Sequence, residues 1–257
     1  MMYVQRGKSP PALFPRFPSF ISFLFMEKRN VPKCVGLIID GNRRWARAQD
    51  LPAFEGHRKG YEKLKDAVRW AKDAGVKNVI VYVFSSQNWN RAEEEISYLM
   101  KLIRRLLMED AEEFKKEEVR LRIIGDRTRP SRDIMETARK LEEETRHFTA
   151  CTLALAFSYG GREEITDAVN RIVAEKESFG GRAITEKDIA ERLWTADIPD
   201  PDLIIRTSGE KRLSNFLPWQ SVYSELFFVS KHWPAFTKED FLGVLDEFAG
   251  RERRYGK

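Results

Sequence analysis

The amino-acid sequence predicts an α/β fold: a single domain with a mainly parallel central sheet flanked by helices. Three features lead there. Short apolar, β-rich runs recur along the chain, longer stretches with helical spacing separate them, and no linker, repeat or low-complexity run appears after the first thirty residues. Strands that alternate with helices imply βαβ crossovers, and strands covered on both faces read as apolar throughout. At 257 residues with 42% apolar content, the chain can bury a substantial core.

Residues 1–30 stand apart. Pro10, Pro11, Pro15 and Pro18 punctuate an aromatic segment ending at Phe25, far shorter than the ~20 apolar residues of a membrane span. Arg6 and Lys8 precede it, but no small-residue cleavage site follows. A poorly ordered leader is expected, with Met26 as an alternative start and a membrane-touching tether as the less favoured use. One domain is expected over residues 31–257, with strands at 34–39, 79–84, 119–124, 152–157, 203–205 and 226–229. Residues 94–114 read as one long helix with Ile96, Leu99, Met100, Ile103, Leu106 and Leu107 on a single stripe. Core packing is the favoured use of that stripe, and the wall of an apolar tunnel beside the sheet is the alternative. Cys34 and Cys151 fall in strands and are expected to be buried thiols in a reducing compartment.

Charge and motif content narrow the function. The balance of 45 Lys+Arg against 40 Asp+Glu gives a net charge of +5, which an anion-binding site accounts for. No aromatic-interleaved RNA signature or zinc finger is visible, so nucleic acid is not an expected partner. With only His57, His147 and His232 and no HExxH, a zinc hydrolase is disfavoured. There is no GxxxxGK[ST] for a P-loop and no GxGxxG for a dinucleotide fold.

Parallel α/β folds gather ligands at the carboxyl ends of their strands, so the residues that follow each strand assemble the candidate site. They are Asp40-Gly41-Asn42-Arg43-Arg44-Trp45, Ser85-Ser86-Gln87-Asn88-Trp89-Asn90-Arg91, Gly125-Asp126-Arg127, Ser158-Tyr159-Gly160-Gly161-Arg162 and the run from Arg206 to Ser214. Guanidinium forks, hydroxyls and glycine-opened backbone suit oxygen anions. Asp40 beside them suits a magnesium ion bridging to a phosphorylated ligand. Taken singly, Asp40 reads equally as a helix cap, a loop arginine as a solvated charge and Gly160-Gly161 as a turn. Their recurrence at successive strand ends favours one anion site. An aspartyl-phosphate hydrolase with Asp40 as nucleophile is the rival from another class, but such enzymes resemble one another in a second Asp two positions on, where this chain has Asn42. The paired DDxxD boxes of trans-prenyl synthases are missing too.

The run Asp40-Gly41-Asn42-Arg43-Arg44-Trp45-Ala46, then Gly56-His57, Phe84 to Arg91, Tyr159-Gly160-Gly161-Arg162, Ile205 to Glu210, Arg212 to Leu217, Tyr223-Ser224-Glu225-Leu226 and Arg251 to Gly256 resembles the cis-prenyltransferase family, typified by undecaprenyl diphosphate synthase. The likeness covers nearly everything after the leader, in order. It implies a homodimer, cytoplasmic or peripheral at the membrane where product is released, that uses Mg²⁺ to condense isopentenyl diphosphate repeatedly onto an allylic diphosphate. The product would be a long-chain polyprenyl diphosphate, precursor of a glycosyl carrier lipid. By matching position, Asp40 would bind Mg²⁺ with Glu225 completing the metal environment. Gly41, Asn42, Arg43, Arg44, Trp45 and His57 would hold the allylic diphosphate; Arg206, Arg212, Leu213 and Ser214 would hold isopentenyl diphosphate. Asn88 is similar to the family residue proposed to assist proton removal, with Ser85, Ser86, Gln87, Trp89 and Arg91 shaping the site around it. The chain departs from the family at Ala53, where an arginine is usual and Arg58 or Lys59 would compensate, and at Arg43, Gln87 and Ser158. Those departures suggest an archaeal-type member that accepts a longer allylic primer such as geranylgeranyl diphosphate, and equal turnover with farnesyl diphosphate would count against it. A noncatalytic partner subunit of the same family is the alternative from a second function class.

Overall fold

In a computed structural model, residues 30–253 are described. The expected leader lies outside them apart from Asn30, as do Arg254, Tyr255 and Gly256 of the arginine-rich end. In chain order the elements are β1 (Cys34–Ile38), α1 (Asn42–Arg47), α2 (Ala53–Asp73), β2 (Asn78–Ser85), α3 (Glu93–Met108), α4 (Ala111–Lys116), β3 (Val119–Ile124), α5 (Arg132–Thr145), β4 (Cys151–Tyr159), α6 (Gly161–Ala174), α7 (Glu186–Ala190), β5 (Leu203–Arg206), β6 (Glu225–Phe228) and α8 (Lys238–Ala249).

The six strands form one sheet in the order β3-β4-β2-β1-β5-β6, and every pairing is parallel. This is the α/β architecture that the alternation of apolar runs and helical stretches predicts. Successive strand residues point to opposite faces, and the core divides accordingly. Val35, Leu37, Val79, Val81, Leu153 and Leu155 pack with α2, α3, α5 and α8 in the larger cluster. Cys34, Ile38, Ile80, Ala154 and Ile204 face the smaller one, built with Tyr159, Phe216 and Leu217. Both cysteines are free and buried, as expected, and burial pushes the Cys151 thiol up to about 11.

Two differences from expectation have local causes. The helix expected over residues 94–114 is two, α3 and α4, separated at Glu109-Asp110. There the Glu109 and Asp110 amides both donate to the Arg105 carbonyl, at 2.8 and 3.2 Å, which breaks the i→i−4 ladder, while the Tyr61 hydroxyl of α2 donates to the Asp110 carboxylate. The second and fourth strands run on to Ser85 and Tyr159, with two compensating register shifts on either side of Phe84 that leave Ser85 opposite Tyr159.

A buried carboxylate ties the end of β4 to the layer behind it. Glu164, fully buried, accepts from the Tyr159 hydroxyl at 2.5 Å, from the Thr195 amide and hydroxyl at 3.1 Å each, and from Gln220 Nε2 at 3.0 Å. Burial raises its pKa, against the pull of those hydrogen bonds. Glu164→Ala leaves these donors facing an apolar gap and is expected to cost about 3 kcal/mol in chemical unfolding. Because the folded pKa lies above the unfolded value, protonated Glu164 contributes stability below that unfolded value, and the contribution is lost as pH rises through the folded one. Glu164→Gln should therefore gain on the wild type in melting temperature as pH rises above the ordinary Glu value of about 4.3, and a gap that stays flat would contradict this.

Candidate active site

Asp40 is delivered by β1 and leaves the strand at Gly41, whose φ of +104° is a conformation that favours glycine. Gly41, not Asp40, occupies the N-cap of α1, and no side chain caps it, so the carboxylate is not used as a helix cap. Its Oδ2 sits 2.9 Å from Arg206 Nη2 and 3.1 Å from Arg44 Nη2. Partial burial works against the charge, but Arg206 and then Arg44 outweigh it and hold the carboxyl below the usual range. Arg206 lies at the end of β5, its side chain only 5% exposed, and also donates to Ser214 Oγ at 2.8 Å.

A cleft of about 1150 Å³ opens beside this pair, at the carboxyl ends of β1, β2 and β5. Asp40, Gly41, Asn42, Arg43, Arg44, His57, Ser85, Gln87, Asn88, Arg91, Arg206, Arg212 and Ser214 all line it. Glu95 also lines it, and Leu99, Leu102, Ile103 and Leu106 of α3 with Leu64 of α2 and Val83 of β2 make an apolar wall continuous with the charged mouth. On the α3 stripe Ile103, Leu106 and Leu107 are buried, and Leu99, Ile103 and Leu106 line the cleft.

Three carboxylates organise the cations. Asp40 takes Arg206 and Arg44; Glu95 takes Arg91 at 2.8 Å, Arg43 at 3.4 Å and His57 Nε2 at 3.1 Å; Glu210 takes Arg44 at 2.9 Å and Arg212 at 2.5 Å. Burial lowers the His57 pKa against the pull of Glu95, so the ring is neutral at pH 7 and its N–H can donate. Glu95 was not singled out in the sequence; the Arg91-to-Glu95 spacing of four, at the start of a helix, was its available signal. Asn88 lies in the 3₁₀ turn Ser86–Asn90, where its Oδ1 accepts from the Ser85 amide at 3.0 Å.

Not every expected residue reaches the cleft. Trp45, Ser86, Trp89 and Leu213 do not line it. Trp89 donates to Ser158 Oγ at 2.9 Å and stacks edge-on against Phe84; Ser86 donates to Glu163 at 2.7 Å; Leu213 packs on the smaller core. They support the loops from behind. Glu225 opens β6, opposite Leu203 at the amino end of the sheet, and pairs with Arg251 at 2.5 Å, so within one chain it stands at the other end from Asp40. Among the described residues no group of three or more His, Cys, Asp or Glu could hold a metal. Arg58 and Lys59, expected to make up for Ala53, pair instead with Glu55 and Glu62, while Arg47 of α1 lines the cleft. Of the five strand-end loops, the third is turned away, with Arg127 bound to Glu142, and the fourth buttresses the fifth, its Arg162 amide donating to Asn215.

The fold matches that of known proteins. A parallel sheet with an acid, several arginines and an apolar wall at its carboxyl edge suits a ligand with an anionic head and an apolar tail. The model of the family described as putative undecaprenyl diphosphate synthase matches residues 38–256, and the chain belongs to that family of prenyl-transferring enzymes. It is similar to the isoprenyl transferase of Thermotoga maritima, 44% identical over 226 residues that cover 88% of this chain and 97% of that one. It is also similar to the isoprenyl transferase of Rhizobium meliloti, 48% identical over 231 residues, 88% of this chain and 93% of the relative. Among solved structures, lavandulyl diphosphate synthase from Lavandula x intermedia in complex with dimethylallyl diphosphate superposes with a TM-score of 0.84 at 32% identity, covering 88% of this chain and 99% of that one. A probable undecaprenyl diphosphate synthase from Campylobacter jejuni gives 0.75 at 33% identity, with coverage of 89% and 100%. The two sequence relatives are bacterial and lend the archaeal-type expectation no support. Among the described residues no helix is long and apolar enough to cross a membrane.

Proposed function

We propose that residues 31–257 form the catalytic domain of a cis-prenyltransferase that condenses isopentenyl diphosphate stepwise with an allylic diphosphate, geranylgeranyl or farnesyl, to a long-chain polyprenyl diphosphate. One observation carries this reading: an ionised carboxylate shared by two arginines at the charged mouth of a cleft whose depth is apolar. Its volume exceeds the ~300–1,000 Å³ of ordinary ligand pockets, in keeping with two substrates.

The residues fit a magnesium ion. Magnesium is commonly held by one or two carboxylates with substrate phosphates completing the shell, and Asp40 is a single partly exposed carboxylate held ionised among phosphate-binding groups. Bound there, Mg²⁺ would neutralise charge that grows on the departing diphosphate. Asn42, Arg43, Arg44, Arg47 and neutral His57 hold the allylic diphosphate, and Arg206, Arg212 and Ser214 hold that of isopentenyl diphosphate. Glu95 and Glu210 now occupy those cations, and phosphate oxygens would take their place. As the allylic C–O bond breaks, its electron pair leaves with pyrophosphate. The alkene of isopentenyl diphosphate supplies the electron pair of the new C–C bond, and the carbon beside the resulting cationic centre gives its proton to the released pyrophosphate or to water, its C–H pair closing the new double bond.

Asn88 orients substrate in this scheme, since an amide oxygen already accepting from Ser85 is a poor base. Leu64, Val83, Leu99 and Leu106 exclude water from the cation and receive the lengthening chain. A homodimer that delivers product at the membrane surface completes the reading. Labelled isopentenyl diphosphate should be incorporated with Mg²⁺ and an allylic primer, and failure with every primer would favour the noncatalytic partner subunit. Asn88→Ala is expected to lower kcat by about 10²-fold through lost orientation, and normal turnover would remove Asn88 from the mechanism.

A further inference from the structure

Resting on the reading of Asp40 as the carboxylate of the diphosphate site, we propose that Ser208 and His232 form a clasp that positions the Asp40-Gly41 turn for catalysis. Neither residue lines the cleft, so their part is read as positioning. They come from separate loops, one after β5 and one after β6. The Ser208 amide donates to the Lys231 carbonyl at 2.7 Å and the Gly209 amide to the Val229 carbonyl at 2.9 Å, which draws the loops together. Ser208 Oγ then lies 2.7 Å from His232 Nδ1.

The closed pair presses on one point. A methyl group built on Gly41 would stand 2.7 Å from Ser208 Oγ and 2.8 Å from His232 Nδ1, so the clasp walls the turn where it leaves β1. The neighbouring residues of the same two loops grip the turn from its carbonyl: Thr207 Oγ1 donates to the Asp40 oxygen at 2.7 Å and the Trp233 amide at 3.0 Å. Four residues, two from each loop, therefore enclose one turn. Ser208 holds a φ of +81°, left-handed backbone that costs a non-glycine residue free energy and persists where its surroundings dictate it. The hydroxyl gives a reason for serine at a position whose backbone favours glycine.

The side-chain contact is what the variants isolate. Ser208→Gly suits the backbone angle and removes the hydroxymethyl side chain that carries the contact. His232→Leu removes Nδ1, while His232→Asn can place an amide atom where Nδ1 lies. Ser208→Gly and His232→Leu are each expected to lower kcat about tenfold or more with the KM for isopentenyl diphosphate nearly unchanged. Both should weaken binding of inorganic pyrophosphate with Mg²⁺ in calorimetry, where no turnover occurs, and both should keep the wild-type melting temperature within a few degrees. The double variant should lose no more than either single one, and His232→Asn should recover most of the activity. Wild-type kcat and pyrophosphate affinity in both single variants would overturn the clasp, as would a loss in His232→Leu that Ser208→Gly does not share, or no recovery in His232→Asn. Asp40→Ala separates the two levels: if it too turned over normally, the reading of the site itself would fall, and if it were inactive while the clasp variants were normal, only the clasp would.

Discussion

Asp40→Ala is expected to lower kcat by at least ~10²–10³-fold, the range seen when a group stabilising transition-state charge is removed. The same substitution has a second effect. Arg206 is almost fully buried, its Nε already has no hydrogen-bond partner among the described residues, and Asp40 is the carboxylate facing its Nη2. Removing the acid leaves a buried cation with Ser214 Oγ as its remaining side-chain partner. Stranding a buried charge costs about 3–5 kcal/mol, and the figure here should fall toward about 1–2 kcal/mol because the Asp40 side chain is 29% exposed and water can reach the gap.

Asp40→Asn separates the two effects, since an amide oxygen still accepts from Arg206. It should lose activity nearly as fully as the alanine variant yet unfold close to the wild type. The pH dependence follows from the depressed pKa: the pair contributes stability above the unfolded Asp value of ~3.9, and the contribution is lost as pH falls through the lower folded value. Asp40 therefore stays charged across the neutral range, and a rate that rose through an apparent pKa of about 6 would have to come from another group. Steady-state kinetics and urea melts of both variants at pH 7 and pH 4 check each part. A wild-type kcat in Asp40→Asn would remove the carboxylate from the chemistry.

Much of this was legible in the chain because the parallel sheet leaves a plain imprint: apolar runs at β1 to β6, each followed by its loop. Which loops meet is set by strand order, which the sequence does not spell out. β1, β2 and β5 are adjacent, so their loops share a cleft, whereas β3 lies at the sheet edge and its Gly125-Asp126-Arg127 turn faces away. Loop composition alone cannot separate these cases, since Arg127 and Arg44 look alike until their partners are known. Trp89 and Ser86 were misplaced for a related reason: side chains two apart in a 3₁₀ turn point to different sides, so Gln87 and Asn88 line the cleft while their neighbours brace it. Glu95 and Glu210 went unassigned because acids in an anion site look wrong in a sequence. In the fold they hold four arginines and the His57 ring in place. The break at Asp110 was invisible because the apolar stripe continues to Phe114 with helical spacing, and only the Tyr61 contact from α2 marks it.

The closest backbone approach in the site yields the other large effect. Gly56→Ala is expected to cost about 1–3 kcal/mol or more and to lower kcat/KM by about 10²-fold, although position 56 faces away from any reacting atom. A methyl there would stand 2.0 Å from the Asn42 carbonyl oxygen and 2.7 Å from its carbon. These are backbone atoms of α1 that no rotamer change can move aside, so α1 must shift as a body. With it go Asn42, Arg43, Arg44 and the turn at Asp40.

Gly60, one helical turn later in α2, makes the contrast. A methyl at Gly60 would meet Asn42 Oδ1 at 2.3 Å, which is side chain and can swing away, so Gly60→Ala should disturb binding with a smaller loss of stability. Gly243 in α8 has nothing within 4 Å of its would-be methyl, and there alanine should stabilise by ~0.5–1 kcal/mol through helix propensity and a less flexible unfolded chain. The expected order of damage is Gly56, then Gly60, then none at Gly243, read by chemical unfolding and by kcat/KM with a fixed primer. Equal losses at positions 56 and 60 would mean that the α1–α2 contact gives way as easily at its backbone as at a side chain. The cation-bearing helix would then not be held in place by the pair of glycines.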